Sequence, residues 1–122
     1  MMMNRTKLVY ISHPYGNKQE NLNRILNLIK HLYDIYGTEK YCFISPVPMY
    51  YHMYESMDYN SGLKICLDIQ EKCDIVLFCK DWKDSKGCNT EWNLATTINQ
   101  EIYLEDLNNE FTFIGLESGN KL

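Results

Sequence analysis

The stretch Cys73-Asp74-Ile75-Val76-Leu77-Phe78-Cys79-Lys80-Asp81-Trp82-Lys83-Asp84-Ser85-Lys86-Gly87-Cys88-Asn89-Thr90-Glu91-Trp92 decides the fold. Its first part, Asp74–Cys79, is apolar after the aspartate on both faces, as a central strand of a parallel sheet must be. Lys80–Lys86 is a polar loop, and Gly87–Asn99 reads as a helix with Trp92, Leu94, Ala95 and Ile98 apolar. Upstream, Lys7–Ser12 reads as a buried strand that ends at the turn signal His13-Pro14-Tyr15-Gly16, with Asn17 available as a cap. Leu22, Ile25, Leu26, Ile29, Leu32, Tyr33 and Tyr36 then recur at helical steps over 18–36, and Gly37 stops the run. Tyr41–Ser45 is a second strand closed by Pro46 and Pro48. The aromatic-rich segment 49–57 reads as a loop or short helix, and 59–72 as a helix carrying Leu63, Cys66, Leu67 and Ile69–Gln70. Glu101–Leu104 is a short strand, and Phe111–Leu116 offers one more. Strands alternating with helices make an α/β sandwich with a mostly parallel sheet of four or five strands.

Composition bounds what such a domain does. At 122 residues the chain is one domain, 1–122, with no linker or repeat to divide it. Twelve basic residues against sixteen acidic ones give a net charge of -4, so no DNA or RNA polymer and no membrane surface is expected as partner. The longest strongly apolar run, Ile75–Cys79, falls far short of a spanning helix or a signal peptide, and the expectation is a soluble, cytoplasmic protein. Five cysteines without a CxxC pair argue for reduced thiols rather than a zinc site or a disulfide scaffold.

Ligands of open α/β sheets bind beyond the carboxyl ends of the strands. Three segments reach that edge: Ser12–Asn17, Ser45–Tyr54 and Lys80–Gly87. Ser85 and Gly87 stand where the third helix begins, and a helix start presents free N–H groups and partial positive charge to an anion. Ser85 also reads as a plain N-cap, and Glu91, one turn in, as a solvated helix glutamate.

Tyr10-Ile11-Ser12-His13-Pro14, Asp74 opening an apolar strand, and the spacing W-x-x-S-x-G-x-x-x-E from Trp82 to Glu91 resemble the nucleoside 2-deoxyribosyltransferase superfamily. More closely, the chain resembles its small phage and bacterial DUF4406-type branch, over roughly residues 7–105. The resemblance implies a flavodoxin-like, Rossmann-like three-layer fold with a five-stranded parallel sheet. It implies cleavage of the N-glycosidic bond of a deoxyribonucleoside or its 5′-monophosphate. In that chemistry a glutamate attacks the anomeric carbon, and a second base or water then takes the sugar. The matching glutamate is Glu91. Tyr10 matches an aromatic whose hydroxyl orients the nucleophile, although a core tyrosine is the alternative. Asp74 matches a family aspartate of the active-site region, yet a residue at the start of a strand faces away from the ligand edge. Ser85 with Gly87 favours a phosphorylated ligand.

The substrate-binding set expected on this resemblance is Ser12, His13, Gly16, Ser85, Gly87, Trp82 and Tyr50. His13 departs from the glycine common at that place, and as a group titrating near neutrality it is also a candidate acid. Tyr50, Tyr51, Tyr54, Met49 and Met53 offer surfaces for a base to stack on, or for a neighbouring subunit to cover. Trp82 either flanks the site or covers the sheet edge. No metal and no cofactor is expected. A homo-oligomer, dimer or higher, is expected because so short a chain leaves a shallow cleft. The competing expectation is a module that binds a nucleotide or nucleotide-derived signal without turnover.

Overall fold

The computed structural model describes residues 5–54 and 56–122. Residue 55, within the aromatic segment 50–59, lies outside the described residues, as do residues 1–4. The elements run β1 (Lys7–Ser12), α1 (Gln19–Tyr36), β2 (Tyr41–Ile44), α2 (Pro46–Tyr54), α3 (Tyr59–Glu71), β3 (Ile75–Phe78), a short 3₁₀ turn over Trp82–Asp84, α4 (Lys86–Thr97), β4 (Glu101–Glu105) and β5 (Phe113–Gly115). The sheet order is β2-β1-β3-β4-β5. β1 pairs in parallel with β2 and β3, and β3 with β4. The sheet is the expected mostly parallel one with five strands; β5 is antiparallel to β4, where the resemblance implies a fully parallel sheet. The physical reason is the short return over residues 106–112, which has no crossover helix and therefore brings the chain back antiparallel. This is a flavodoxin-like, three-layer α/β fold.

Strand alternation assigns the two faces. Val9, Ile11, Ile75, Leu77 and Cys79 point to the side where Leu28 and Leu32 of α1 pack. Tyr10, Val76, Phe78 and Ile102 point to the opposite side, against Cys66 and Ile69 of α3 and Trp92 and Ala95 of α4. The strand order reverses at β1, which has β2 on one side and β3 on the other, and the crevice of such a fold opens there.

Local chemistry sets the ends of the elements. Pro46 opens α2, where a missing N–H costs nothing, so the proline that closes β2 also starts a helix. Asn17 does not cap α1. Gly16 (φ 55°) and Asn17 (φ 59°) form a left-handed pair, and Lys18 takes the N-cap position without a side-chain bond. Gly37, at φ 69°, ends α1 and donates its N–H to the Tyr33 carbonyl. Ser85 caps α4, its Oγ accepting from the Cys88 N–H at 3.2 Å. All five cysteines are free, with Cys79 fully buried in the core and Cys42 half-buried.

Candidate functional site

A cavity of about 270 Å³ opens at the carboxyl edge of β1. Glu91 forms its floor. The carboxylate is reached from two directions by β1: Tyr10 Oη donates to Oε2, and Ser12 Oγ donates to Oε1 at 2.9 Å. Tyr10 and Ser12 are two residues apart on a strand, so both side chains leave the same face, the face that α4 covers. Glu91 lies on the inner side of α4 and is 6% exposed. Burial pushes its carboxyl up, and the Tyr10 and Ser12 hydroxyls draw it back part of the way, leaving it at about 7. Tyr10 is itself pushed well above the usual phenol range, by burial first and by the neighbouring Glu91 charge.

The walls are aromatic and soft. Tyr54 at the end of α2, Tyr59 at the start of α3, Tyr15, Met57, Cys66 and Val47 line the space. Tyr54 Oη lies 3.5 Å from Cys66 Sγ, and the Tyr54 ring sits 6.0 Å from that of Tyr15. Gly87 and Ser85 form the rim where α4 begins, and Gly16 the rim on the β1 side. Among the described residues no lysine or arginine lines this cavity, and its carboxylates are Glu91 and Asp58. Asp58 serves as N-cap of α3 and is held below the usual carboxylate range by the Ser61 N–H and hydroxyl. No cluster of metal-ligating side chains is found among the described residues.

A family model described as a domain of unknown function, DUF4406, matches residues 9–104. The chain belongs to the DUF4406 family. The match runs from β1 to β4 and so takes in Tyr10, Ser12, Ser85, Gly87 and Glu91, leaving the antiparallel β5 outside it. No curated protein matches this DUF4406 chain.

The fold brings together most of the residues that the sequence pointed to. Glu91, Tyr10, His13, Gly16, Ser85 and Gly87 line one cavity, and Ser12 reaches it through Glu91. Three others stand apart. Asp74 lies at the amino end of β3, where Arg5 grips it at 2.6 and 2.9 Å and the Leu8 N–H donates to it at 2.8 Å. Trp82 stacks on Trp92, with ring centroids 4.7 Å apart, and packs against Phe78, so it covers the sheet and does not flank the cavity. Tyr50 is half-buried on α2 and does not line the cavity; Met49 and Met53 are largely exposed. The aromatic wall is therefore Tyr54 with Tyr59 and Tyr15, and the Met57 thioether lies beside them.

His13 lines the cavity with its ring held from behind. Arg24 Nη1, which can only donate, meets His13 Nε2 at 3.0 Å, so the ring proton sits on Nδ1, which donates to the Pro14 carbonyl at 2.7 Å. Burial holds the imidazole below its ordinary value, that is, neutral. Behind it Arg24 also pairs with Glu105 at 2.6 Å and lies over the Phe111 ring. Glu105 accepts further from the N–H groups of Lys80 and Phe111. This cluster ties α1 and the carboxyl ends of β1, β3 and β4 together behind the cavity.

Proposed function

We propose that this DUF4406 domain cleaves or transfers the N-glycosidic bond of a deoxyribonucleoside or its 5′-monophosphate, with Glu91 as nucleophile. The observation that carries the reading is the Glu91 carboxylate set between the Tyr10 and Ser12 hydroxyls at the floor of an aromatic-walled cavity. The likeness of the Trp82–Glu91 spacing to the nucleoside 2-deoxyribosyltransferase superfamily supports it.

In the first step a Glu91 oxygen bonds to the anomeric carbon as the glycosidic C–N bond breaks, and the bonding pair leaves with the base, which takes a proton from water. The two hydroxyls keep the carboxylate in place and release it as charge moves onto the sugar. In the second step water or another base attacks the same carbon, and the ester oxygen returns to Glu91 as carboxylate. Tyr54 and Tyr59 supply faces on which a base stacks. A 5′-phosphate would rest on the first N–H groups of α4 and the Ser85 hydroxyl, since no lysine or arginine among the described residues lines the wall. The exposed Met49, Met53 and Tyr59 lie on the α2–α3 side of the cavity, and a second copy covering them accounts for the expected oligomer.

The test is a panel of deoxynucleosides and their monophosphates, followed by chromatography of free base, with and without a second base as acceptor. Base release or exchange that falls roughly a thousandfold or more in Glu91→Gln supports the proposal. A ligand that binds and is recovered intact across the panel favours a binding module instead. Turnover that survives Glu91→Gln removes Glu91 as the nucleophile.

A further inference from the structure

Gln70, in the last turn of α3, is 0% exposed and, among the described residues, is the one amide in the set of largest fully buried side chains. Its Nε2 donates to the main-chain carbonyl of Glu91 at 2.8 Å and to Gln100 Oε1 at 3.1 Å. Gln100 answers by donating to the carbonyls of Gln70 and Cys73 at 2.8 and 2.9 Å, closing the C-terminal end of α3. Gln70 Oε1 is buried with no hydrogen-bond partner among the described residues.

Two points make this more than packing. The Glu91 carbonyl lies inside α4, where the N–H four residues on, that of Ala95, already serves it by the helix repeat. The Gln70 bond is therefore an additional restraint and not the satisfaction of an orphan group. The price of that restraint is an unpaired buried carbonyl at Oε1, which an apolar side chain of the same length would avoid. What the amide adds is direction. A helix side-chain tip stands about 6 Å from the axis, so turning α4 by roughly 10° moves the carboxylate about 1 Å.

We infer that Gln70 is a positioning residue: its buried amide grips the α4 main chain at Glu91, fixes the rotation of α4 against α3, and so sets where the carboxylate meets Tyr10, Ser12 and the ligand. The inference rests on the reading of Glu91 as the reacting group. Because α3 also carries Tyr59 and Cys66 on the cavity wall, the same bond holds wall and nucleophile in one register.

The experiment compares wild type with Gln70→Met and Gln70→His. Three quantities are read: thermal stability, kcat and KM for base release, and the titration of the Glu91 carboxyl by carbon-13 NMR, the signal assigned with Glu91→Gln. Gln70→Met removes the donor and the unpaired oxygen together but also takes the donor from Gln100 Oε1, so the two changes offset and its Tm is expected to stay close to that of wild type. Its kcat is expected to fall roughly tenfold to a hundredfold with KM within about twofold. Its Glu91 midpoint is expected to move from about 7 toward the ordinary carboxyl range as the group loosens toward solvent. Gln70→His places a ring N–H at the same reach and restores both readings. If Gln70→Met does not fold, Gln70→Asn, which withdraws the donor by one methylene, is expected to give the same shift and the same loss. An unchanged kcat and midpoint in a folded donor-less variant overturns the inference. So does a loss of activity that follows the loss of folded protein with the midpoint unmoved. If wild type releases no base at all, the proposed reaction fails, while the titration still decides whether Gln70 holds Glu91.

Discussion

Tyr10, in the middle of β1, donates its phenolic hydrogen bond to the carboxylate of Glu91, 81 residues further along the chain. Both groups are almost fully buried, and the bond joins the central strand to the inner face of α4. Ser12 adds a second hydroxyl from the same strand face. The resulting site holds a carboxylate that is half-protonated near neutral pH, and several measurable consequences come from that.

The first concerns stability against pH. A folded-state value of about 7 lies above that of an unfolded glutamate, so between about 4.5 and 7 the folded protein binds more protons than the unfolded one. Stability from this group is therefore full at low pH and declines as pH rises toward 7, reaching a cost of about 3 kcal/mol above it. Glu91→Gln carries no such dependence. Urea unfolding at pH 5 and pH 8 is expected to show the variant close to wild type at the lower pH and more stable than wild type at the higher. A difference that does not change between the two would show that Glu91 has no raised value.

The second concerns the hydroxyls. Tyr10→Phe and Ser12→Ala each remove a donor to the ionised carboxylate, leaving burial less opposed, so the Glu91 value rises further. As the nucleophile must be ionised, the rising limb of a pH–rate profile, expected near pH 7 in wild type, moves to higher pH in both variants. Unfolding at pH 8 is expected to become easier by about 1–3 kcal/mol, the cost of losing a hydrogen bond to a buried charge, and to change less at pH 5.

The third concerns the cluster behind the cavity. The Glu105 side chain is 2% exposed, and burial acts to raise its carboxyl. Arg24 and the N–H groups of Phe111 and Lys80 outweigh burial and hold it below the ordinary range. Its stabilisation is thus present above the unfolded value and lost as pH falls through the folded one. Arg24→Met strands this charge and frees His13 Nε2. The expected loss is about 3–5 kcal/mol at pH 7, read by urea unfolding, and Arg24→Met/Glu105→Leu is expected to recover a large part of it. A single variant as stable as wild type would show the pair to be dispensable.

The fourth separates Asp74 from the chemistry. Its carboxylate sits at the amino end of β3, bound to Arg5 and to the Leu8 N–H, on the edge of the sheet away from Glu91. Asp74→Asn is expected to lower Tm, since it removes the bidentate grip that joins the start of β3 to β1, and to leave kcat for base release unchanged. A selective loss of kcat with Tm intact would return Asp74 to the catalytic group.

How far the sequence reaches is clear from particular residues. The apolar run Ile75–Cys79 announces a central strand because both its faces are buried, and the period of two places Tyr10 and Ser12 together on one side. The Ser85–Glu91 spacing is legible because N-cap and inner helix face are local properties. The α2 helix reads only as a loop or short helix over 49–57, because its prolines and weak periodicity leave both open; packing between α1 and α3 decides for the helix and starts it at Pro46. The place of Trp82 is open in the sequence for the same reason, as its stack on Trp92 depends on how the 3₁₀ turn meets α4. Tyr59 and Cys66 lie on one face of α3 at helical spacing, but that face looks like core until the cavity above it is seen. Gln70 is placed on its helix by the sequence, but nothing local shows that its amide reaches the main chain at Glu91, because that contact depends on how α3 meets α4.

The last prediction distinguishes the two main aromatic walls. Tyr54 is packed on both sides, with its ring near Tyr15 and its hydroxyl near Cys66, so it belongs to the core as well as to the cavity. Tyr59 is 50% exposed, stands at the mouth beside Gly87, and lies under the Lys86 ammonium. Tyr59→Ala therefore removes a stacking face at small structural cost: Tm is expected to hold, while KM for a nucleoside rises about twofold to tenfold, matching the loss of one aromatic contact of about 0.5–1.5 kcal/mol. Tyr59→Phe keeps the face and is expected to keep KM. Tyr54→Ala is expected to lower stability by roughly 2–3 kcal/mol as well as to raise KM, because it empties part of the packing between α2 and α3. Should Tyr59→Ala bind nucleosides as well as wild type does, the base does not stack at the mouth, and the ligand lies deeper, between Tyr54 and Tyr15.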